Sequence, residues 1–197
     1  MPLTLAALAE EAAGCTRCPL AETRTHVVFG MGDPTADLMF VGEGPGEHED
    51  LQGLPFVGRS GQLLDRLVFE ELGLTRDRCY IANVVKCRPP GNRDPVPAEI
   101  ASCRPYLERQ LELIAPSVVV TLGKFAGQLL LGSTETITRL RGQTYPYATG
   151  VLVPTVHPAY VLRGGAVPMA QMRADLVRAG LELRAAGSPL ADAVGAS

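Results

Sequence analysis

No apolar run in the 197-residue chain approaches the roughly 20 residues that span a bilayer, so no helical anchor is expected. The opening stretch, Met1-Pro2-Leu3-Thr4-Leu5-Ala6-Ala7-Leu8-Ala9-Glu10-Glu11, has no basic region and carries acids early. It reads as an amphipathic helix rather than a secretory leader, and the cytoplasm is the expected compartment. Lysine is scarce: Lys86 and Lys124 are the two in the chain. Positive charge therefore rests on arginine, whose planar fork suits phosphate, although a GC-rich genome produces the same bias. With a formal net charge of −3 and a pI near 5.6, the chain is not basic overall, as nucleic-acid-binding domains usually are. A nucleic-acid partner would need a local patch. Nucleotide motifs are missing as well. There is no G-x-x-x-x-G-K-[ST], and Gly42-Glu43-Gly44-Pro45-Gly46-Glu47 breaks G-x-G-x-x-G at its last position. The cysteine count is odd, at five, which argues against a disulfide framework in a cytoplasmic chain.

What is present describes one globular domain. Hydrophobic residues make up 46% and charged residues 20%, enough to bury a real core. Periodicity predicts helices over 4–13, 60–72, 97–115, 124–131 and 168–186, with Ser60 as N-cap and Gly73 as the stop of the second. It predicts strands over 38–42, 79–85, 117–123 and 150–158. The stretch "PPGNRDPVP", 89–97, is a loop rich in turn residues. From the first strand onward, strands and helices alternate. That order implies a three-layer α/β/α sandwich around a four-stranded parallel sheet. The domain is expected to cover 1–187, and the small, polar residues 188–197 read as a disordered tail.

Ligands of such sheets bind beyond the carboxyl ends of the strands. Those ends carry Gly42-Glu43-Gly44-Pro45-Gly46, Asn83 followed by Lys86-Cys87-Arg88, Leu122-Gly123-Lys124, and His157-Pro158. The first is a strand running into a glycine-rich turn, which suggests a phosphate cradle. Yet Glu43, Glu47, Glu49 and Asp50 crowd the same loop and would repel a phosphate. Cys15-x-x-Cys18 forms a two-ligand clip, and Cys87 and Cys103 frame the proline-rich loop. Four thiolates from two segments can enclose zinc or an iron–sulfur cluster, and spacing does not separate the two. Cys79 leads an apolar strand and reads as core. Asn83, an amide inside an apolar strand, needs partners; it offers the donor and acceptor that a nucleobase edge requires. His157 stands at a core-strand exit, locked by Pro158.

Together, "VGEGPGEHED", "PFVGRSGQLLD", "NVVKCRPPGNRDP" and "VHPAYVLR" resemble the family-4 (type a) uracil-DNA glycosylases, which contain iron–sulfur. The resemblance covers roughly residues 14–185. It implies a uracil-DNA glycosylase-like fold and a monofunctional DNA-repair enzyme. Such an enzyme flips uracil from DNA and hydrolyses its glycosidic bond, leaving an abasic site. It implies a structural 4Fe–4S cluster on Cys15, Cys18, Cys87 and Cys103. Asn83 would read the uracil edge, Phe56 would stack on the base from an exposed loop between Pro55 and Gly58, and His157 would contact O2. Gly42, Glu43 and Gly44 would flank base and sugar, and Glu47 would join the wall that rejects the thymine methyl. The aspartate that positions water in the best-known uracil glycosylases has no counterpart here, because Gly44 stands at its place. Glu43 is the first candidate for that task and Glu49 the second, with Asp50 capping the following turn. Arg59, Lys86, Arg88, Arg93, Lys124 and Arg163 would form the basic track for single- or double-stranded DNA. Lys86 has a phosphate or surface role in this reading, and Tyr160 or Leu162 would wedge into the vacated stack. A monomer is expected, and no clamp-binding motif is evident. The competing readings are a related glycosylase of broader deaminated-base specificity, a non-catalytic uracil-DNA-binding module, and a metabolic α/β enzyme with structural zinc.

Overall fold

The computed structural model describes residues 4–148 and 150–192. Four apolar segments form the parallel strands that periodicity predicts: β2 (Leu38–Gly42), β3 (Tyr80–Asn83), β4 (Val118–Leu122) and β6 (Gly150–Thr155). Two short strands absent from the sequence reading extend the sheet at its edges. These are β1 (Met31–Gly32) and β5 (Tyr145–Tyr147), each antiparallel to its neighbour. The six-stranded order is β1-β3-β2-β4-β6-β5. Strands this short carry too few residues for a period to show.

Alternate residues of the parallel strands face opposite cores, as the pleat requires. Leu38, Phe40, Ile81, Val118, Val120 and Val153 share one core with α4 (Arg59–Leu72) and α9 (Ala166–Ala185). Met39, Val41, Ala82, Val119 and Leu152 share the other with α1 (Leu5–Ala13), α5 (Pro97–Ile114) and α6 (Lys124–Leu131). Thr4 caps α1 by accepting from the Ala7 amide at 3.2 Å. The predicted cap Ser60 lies inside α4, whose N-cap is Gly58, while Gly73 closes the helix at φ 66° as expected.

Several short helices escaped the periodicity: α2 (Leu20–Thr23), α3 (Glu47–Gln52), α7 (Ile137–Leu140) and α8 (Pro158–Gly164). Two of them matter to the strand exits, since α3 follows the glycine-rich turn and α8 follows His157. The segment expected to be disordered is ordered through its first part. Ser188 donates to Asp37 at 2.8 Å, Leu190 is buried, and Pro189–Asp192 form a 3₁₀ turn. Residues 193–197 lie outside the described residues. No helix among the described residues is long and apolar enough to cross a membrane.

Parallel order reverses between β3-β2 and β4-β6, so the crevice beyond the carboxyl ends opens where β2 adjoins β4. Gly42 and Asn83 are register partners there. Gly123, at φ 92°, lets the chain leave β4 and donate its amide to Thr155 at 2.9 Å.

Candidate active site

Four predicted residues converge at this crevice. A Cβ on Gly42 would lie 2.4 Å from Asn83 Oδ1 and 2.6 Å from Phe56 Cζ, so glycine is required for the three to meet. The Phe56 and His157 rings lie 5.9 Å apart, tilted by 32°. Gly123 supports His157 from behind: a Cβ there would sit 3.1 Å from the histidine Cβ. Phe56 is not the exposed loop residue expected from its Pro and Gly neighbours. It is buried, because its ring turns inward onto Gly42 and joins the core edge.

Asn83 carries the most direct chemical signal. Its side chain is buried, and Oδ1 has no hydrogen-bond partner. Leaving a buried amide oxygen unpaired costs roughly 1–3 kcal/mol, and a group held that way needs an explanation. Its main-chain carbonyl, by contrast, accepts from Lys86 Nζ at 2.8 Å.

His157 has a defined tautomer. Its Nδ1 accepts the Ala159 amide at 3.1 Å, so in the neutral ring the proton sits on Nε2. Burial, followed by the Arg163 charge, pushes the imidazolium down to about 4, leaving a neutral donor at neutral pH. Glu43, on the opposite loop, is shifted the other way. Burial and the Asp94 carboxylate raise it to about 7, with Lys124 opposing them.

The remaining acids of the loop have other partners. Glu49 Oε1 accepts the Val57 and Gly58 amides at 2.9 and 2.8 Å, which ties the carboxylate to the loop that carries Phe56. Asp50 does not cap the following turn but ties α3 to the loop after α2. It is buried and accepts the Thr25 amide at 2.9 and 3.1 Å. Glu47 is exposed and lies 3.6 Å from Arg88. Gly44 closes on the β3 exit, since a Cβ there would meet Val85 Cγ2 at 2.7 Å.

The basic track divides. Lys86 does not face DNA. It is among the largest fully buried side chains, and Nζ also donates to Gln110 Oε1 at 2.5 Å. Burial pushes its ammonium down to about 8. Arg93 is likewise engaged, gripping Glu99 at 2.9 and 2.6 Å at the start of α5, and Arg88 donates to Asn92 at 2.7 Å. Lys124 is half-exposed and lies 3.7 Å from Asp94. Arg59 and Arg163 are exposed, and no ion pair engages them among the described residues. Tyr160 and Leu162 project from α8 into solvent.

On the far side of β3, Cys15, Cys18, Cys87 and Cys103 line one cavity with Arg24, Lys86 and Tyr106. Arg24 donates to Cys87 Sγ at 3.4 Å and to the Cys15 carbonyl at 2.7 Å, and the Lys86 amide donates to Cys103 Sγ at 3.2 Å. A shared cavity with N–H donors aimed at sulfur fits a thiolate-bound group. Among the described residues, no three His, Cys, Asp or Glu side chains gather as they would around one metal ion. Cys79 is outside this set, buried in the opposite core, where burial pushes its thiol up to about 12. Gln110 and Arg24 were not legible as site residues. Each is a single polar side chain on a helix or loop whose partners are distant in sequence.

Comparison with known proteins agrees with this geometry. The family model of the uracil DNA glycosylase superfamily matches residues 29–178. A type-4 uracil-DNA glycosylase of Sulfurisphaera tokodaii is 45% identical over 167 residues, spanning 81% of this chain and 76% of the relative. That of Saccharolobus solfataricus is 46% identical over 163 residues, spanning 79% and 76%. That of Thermotoga maritima is 48% identical over 158 residues, spanning 79% and 82%. The chain belongs to the uracil DNA glycosylase superfamily.

Proposed function

We propose that this protein excises uracil from DNA by hydrolysing the N-glycosidic bond, leaving an abasic site. One observation carries the reading beyond family membership: the buried, unpartnered Oδ1 of Asn83, set beside Gly42 and Phe56 at the strand exits. Uracil N3–H is a donor for that acceptor, and the Asn83 amide group can donate to O4. Phe56 stacks on the flipped ring, which offsets the few kcal/mol lost on leaving the helix stack.

As the C1′–N1 bond breaks, the electron pair departs with uracil and the sugar becomes cationic. His157 Nε2–H donates to the oxygen that gains negative charge, and a neutral donor suffices. Glu43 faces the cationic side. Its ionised form stabilises the sugar and accepts a proton from the water that attacks C1′. A carboxyl poised near neutral pH suits a general base. This reading removes the conflict in the glycine-rich loop, because Glu43 meets a cationic sugar rather than a phosphate, while Glu49 and Asp50 are taken up by backbone amides.

Arg59 and Arg163 bind the phosphate backbone near the crevice, with Lys124 and Arg88 contributing after release from their carboxylate partners. Tyr160 or Leu162 enters the stack that uracil vacates. Glu47 belongs to the wall beside uracil C5. Cys15, Cys18, Cys87 and Cys103 hold a 4Fe–4S cluster. It links the N-terminal segment to the β3 exit, and its role is structural.

The test is release of uracil from an oligonucleotide carrying one deoxyuridine, with alkali cutting the abasic product. A cut at uracil and none at thymine supports the reading. A folded protein that leaves single- and double-stranded substrates intact overturns it. Cutting at hypoxanthine would replace it with a broader glycosylase.

A further inference from the structure

Phe56 adopts a backbone conformation that its own side chain disfavours. Its φ is 53°, in the left-handed region where a Cβ crowds the backbone. The surrounding structure must hold it there. Two side chains grip the peptide unit that follows. Glu49, from α3, accepts the Val57 amide at 2.9 Å and the Gly58 amide at 2.8 Å through one oxygen. Arg76, from the turn beyond α4, donates to the Phe56 carbonyl at 2.9 Å and the Pro55 carbonyl at 3.3 Å. The carbonyl and amide ends of the Phe56–Val57 peptide are thus held from opposite sides. The Asp65 carboxylate lies 3.2 Å from Arg76 Nε as an ion pair, without a hydrogen bond.

Neighbouring glycines make room for this grip. A Cβ on Gly46 would lie 2.7 Å from Glu49 Oε2. One on Gly61 would lie 1.7 Å from the Phe56 carbonyl oxygen. The consequence is where the ring sits: against Gly42 and facing His157.

We infer that Glu49 and Arg76 are positioning residues for base stacking, holding Phe56 in its strained conformation, and that Glu49 does not activate water. The inference rests on the uracil-excision reading. An amide oxygen can accept the same two N–H groups as the carboxylate but cannot act as a general base. Glu49→Gln therefore separates the two roles.

The experiment measures kcat and KM for uracil release across pH in the wild type, Glu49→Gln, Glu49→Ala and Arg76→Met, with folding checked by circular dichroism. Glu49→Gln should stay within about fivefold of the wild type and keep its pH profile, whereas Glu49→Ala and Arg76→Met should each lose about tenfold or more in kcat. A folded Glu49→Gln impaired by about a hundredfold or more makes Glu49 a catalytic base and overturns the inference. A wild-type-like Arg76→Met overturns it too. If Glu49→Ala does not fold, Glu49→Gln and Arg76→Met still decide. Failure of the wild type to release uracil is a separate result; it removes the excision reading and this inference with it.

Discussion

Gly42 shows how much a single missing methyl group can decide. Its position admits no Cβ without moving Asn83 or Phe56, so Gly42→Ala is expected to lower kcat/KM for uracil by about a hundredfold or more. The helical signal of the folded variant should change little. Glu43 offers a test by pH. In the proposed mechanism its ionised form is the active one, and burial raises its value to about 7, so wild-type kcat/KM should rise through about pH 7. Glu43→Gln should lose that limb and about a hundredfold in rate. Stability should respond in the opposite sense. The folded value lies above the ordinary 4.5, so the protonated group favours folding below about 4.5. That contribution is lost once the pH passes about 7. The unfolding midpoint of Glu43→Gln should match the wild type at about pH 4 and exceed it at about pH 8. In the proposed mechanism His157 is a neutral donor, so His157→Ala should cost about two to three orders of magnitude in kcat. Equal rates for His157→Ala and wild type would remove the donor from the mechanism.

At the scale of elements, the crevice depends on how far apart the elements are that supply it. Asn83 comes from β3, Gly42 from β2, Phe56 from the loop between α3 and α4, and His157 from the start of α8. Long helices hold these strand ends in place. One tie stands out for burial: Arg141, after α7, donates to both oxygens of Asp175 in α9 at 2.9 Å and to the Gln171 carbonyl at 3.0 Å. Asp175 is 1% exposed, so removing its partner strands a charge. Arg141→Ala should destabilise the protein by about 3 kcal/mol, lowering the thermal midpoint by roughly 6–12 °C. A shift below a degree or two would mean that water replaces the pair. The sequence reading missed the helices that fix the site because α3 and α8 are only a few residues long. Neither spans enough turns for a periodic face.

For the whole molecule, the cysteine cavity connects the N-terminal segment to the strand that carries Asn83. Lys86 joins the two sites, with its amide on Cys103 Sγ and its ammonium on the Asn83 carbonyl. Protein purified without oxygen should contain about four iron atoms per chain and absorb broadly in the visible range. Cys103→Ser should lose both the colour and part of the thermal stability, since binding energy at such a site is also folding energy. Stoichiometric zinc in a colourless, active protein would replace the cluster with a single ion.

The sequence by itself determined the alternating order of strands and helices, because an apolar run or a 3.6-residue period is a local property that burial imposes on contiguous residues. It also determined which strand ends bear Glu43, Asn83 and His157, because side-chain chemistry at a predicted exit can be read without a fold. Tertiary structure alone decided the fate of charge. Lys86 and Arg93 look like surface cations in the chain, yet one reaches Gln110 and the other Glu99. Glu49 and Glu43 stand six positions apart in one acidic loop, yet one accepts backbone amides and the other is buried near the Asp94 and Lys124 charges. A charged side chain acts through its nearest partner, and for Lys86, in the loop after β3, that partner lies 24 residues away in sequence on α5. Distance in space, set by packing of the sheet and its two helical layers, is what assigns such partners.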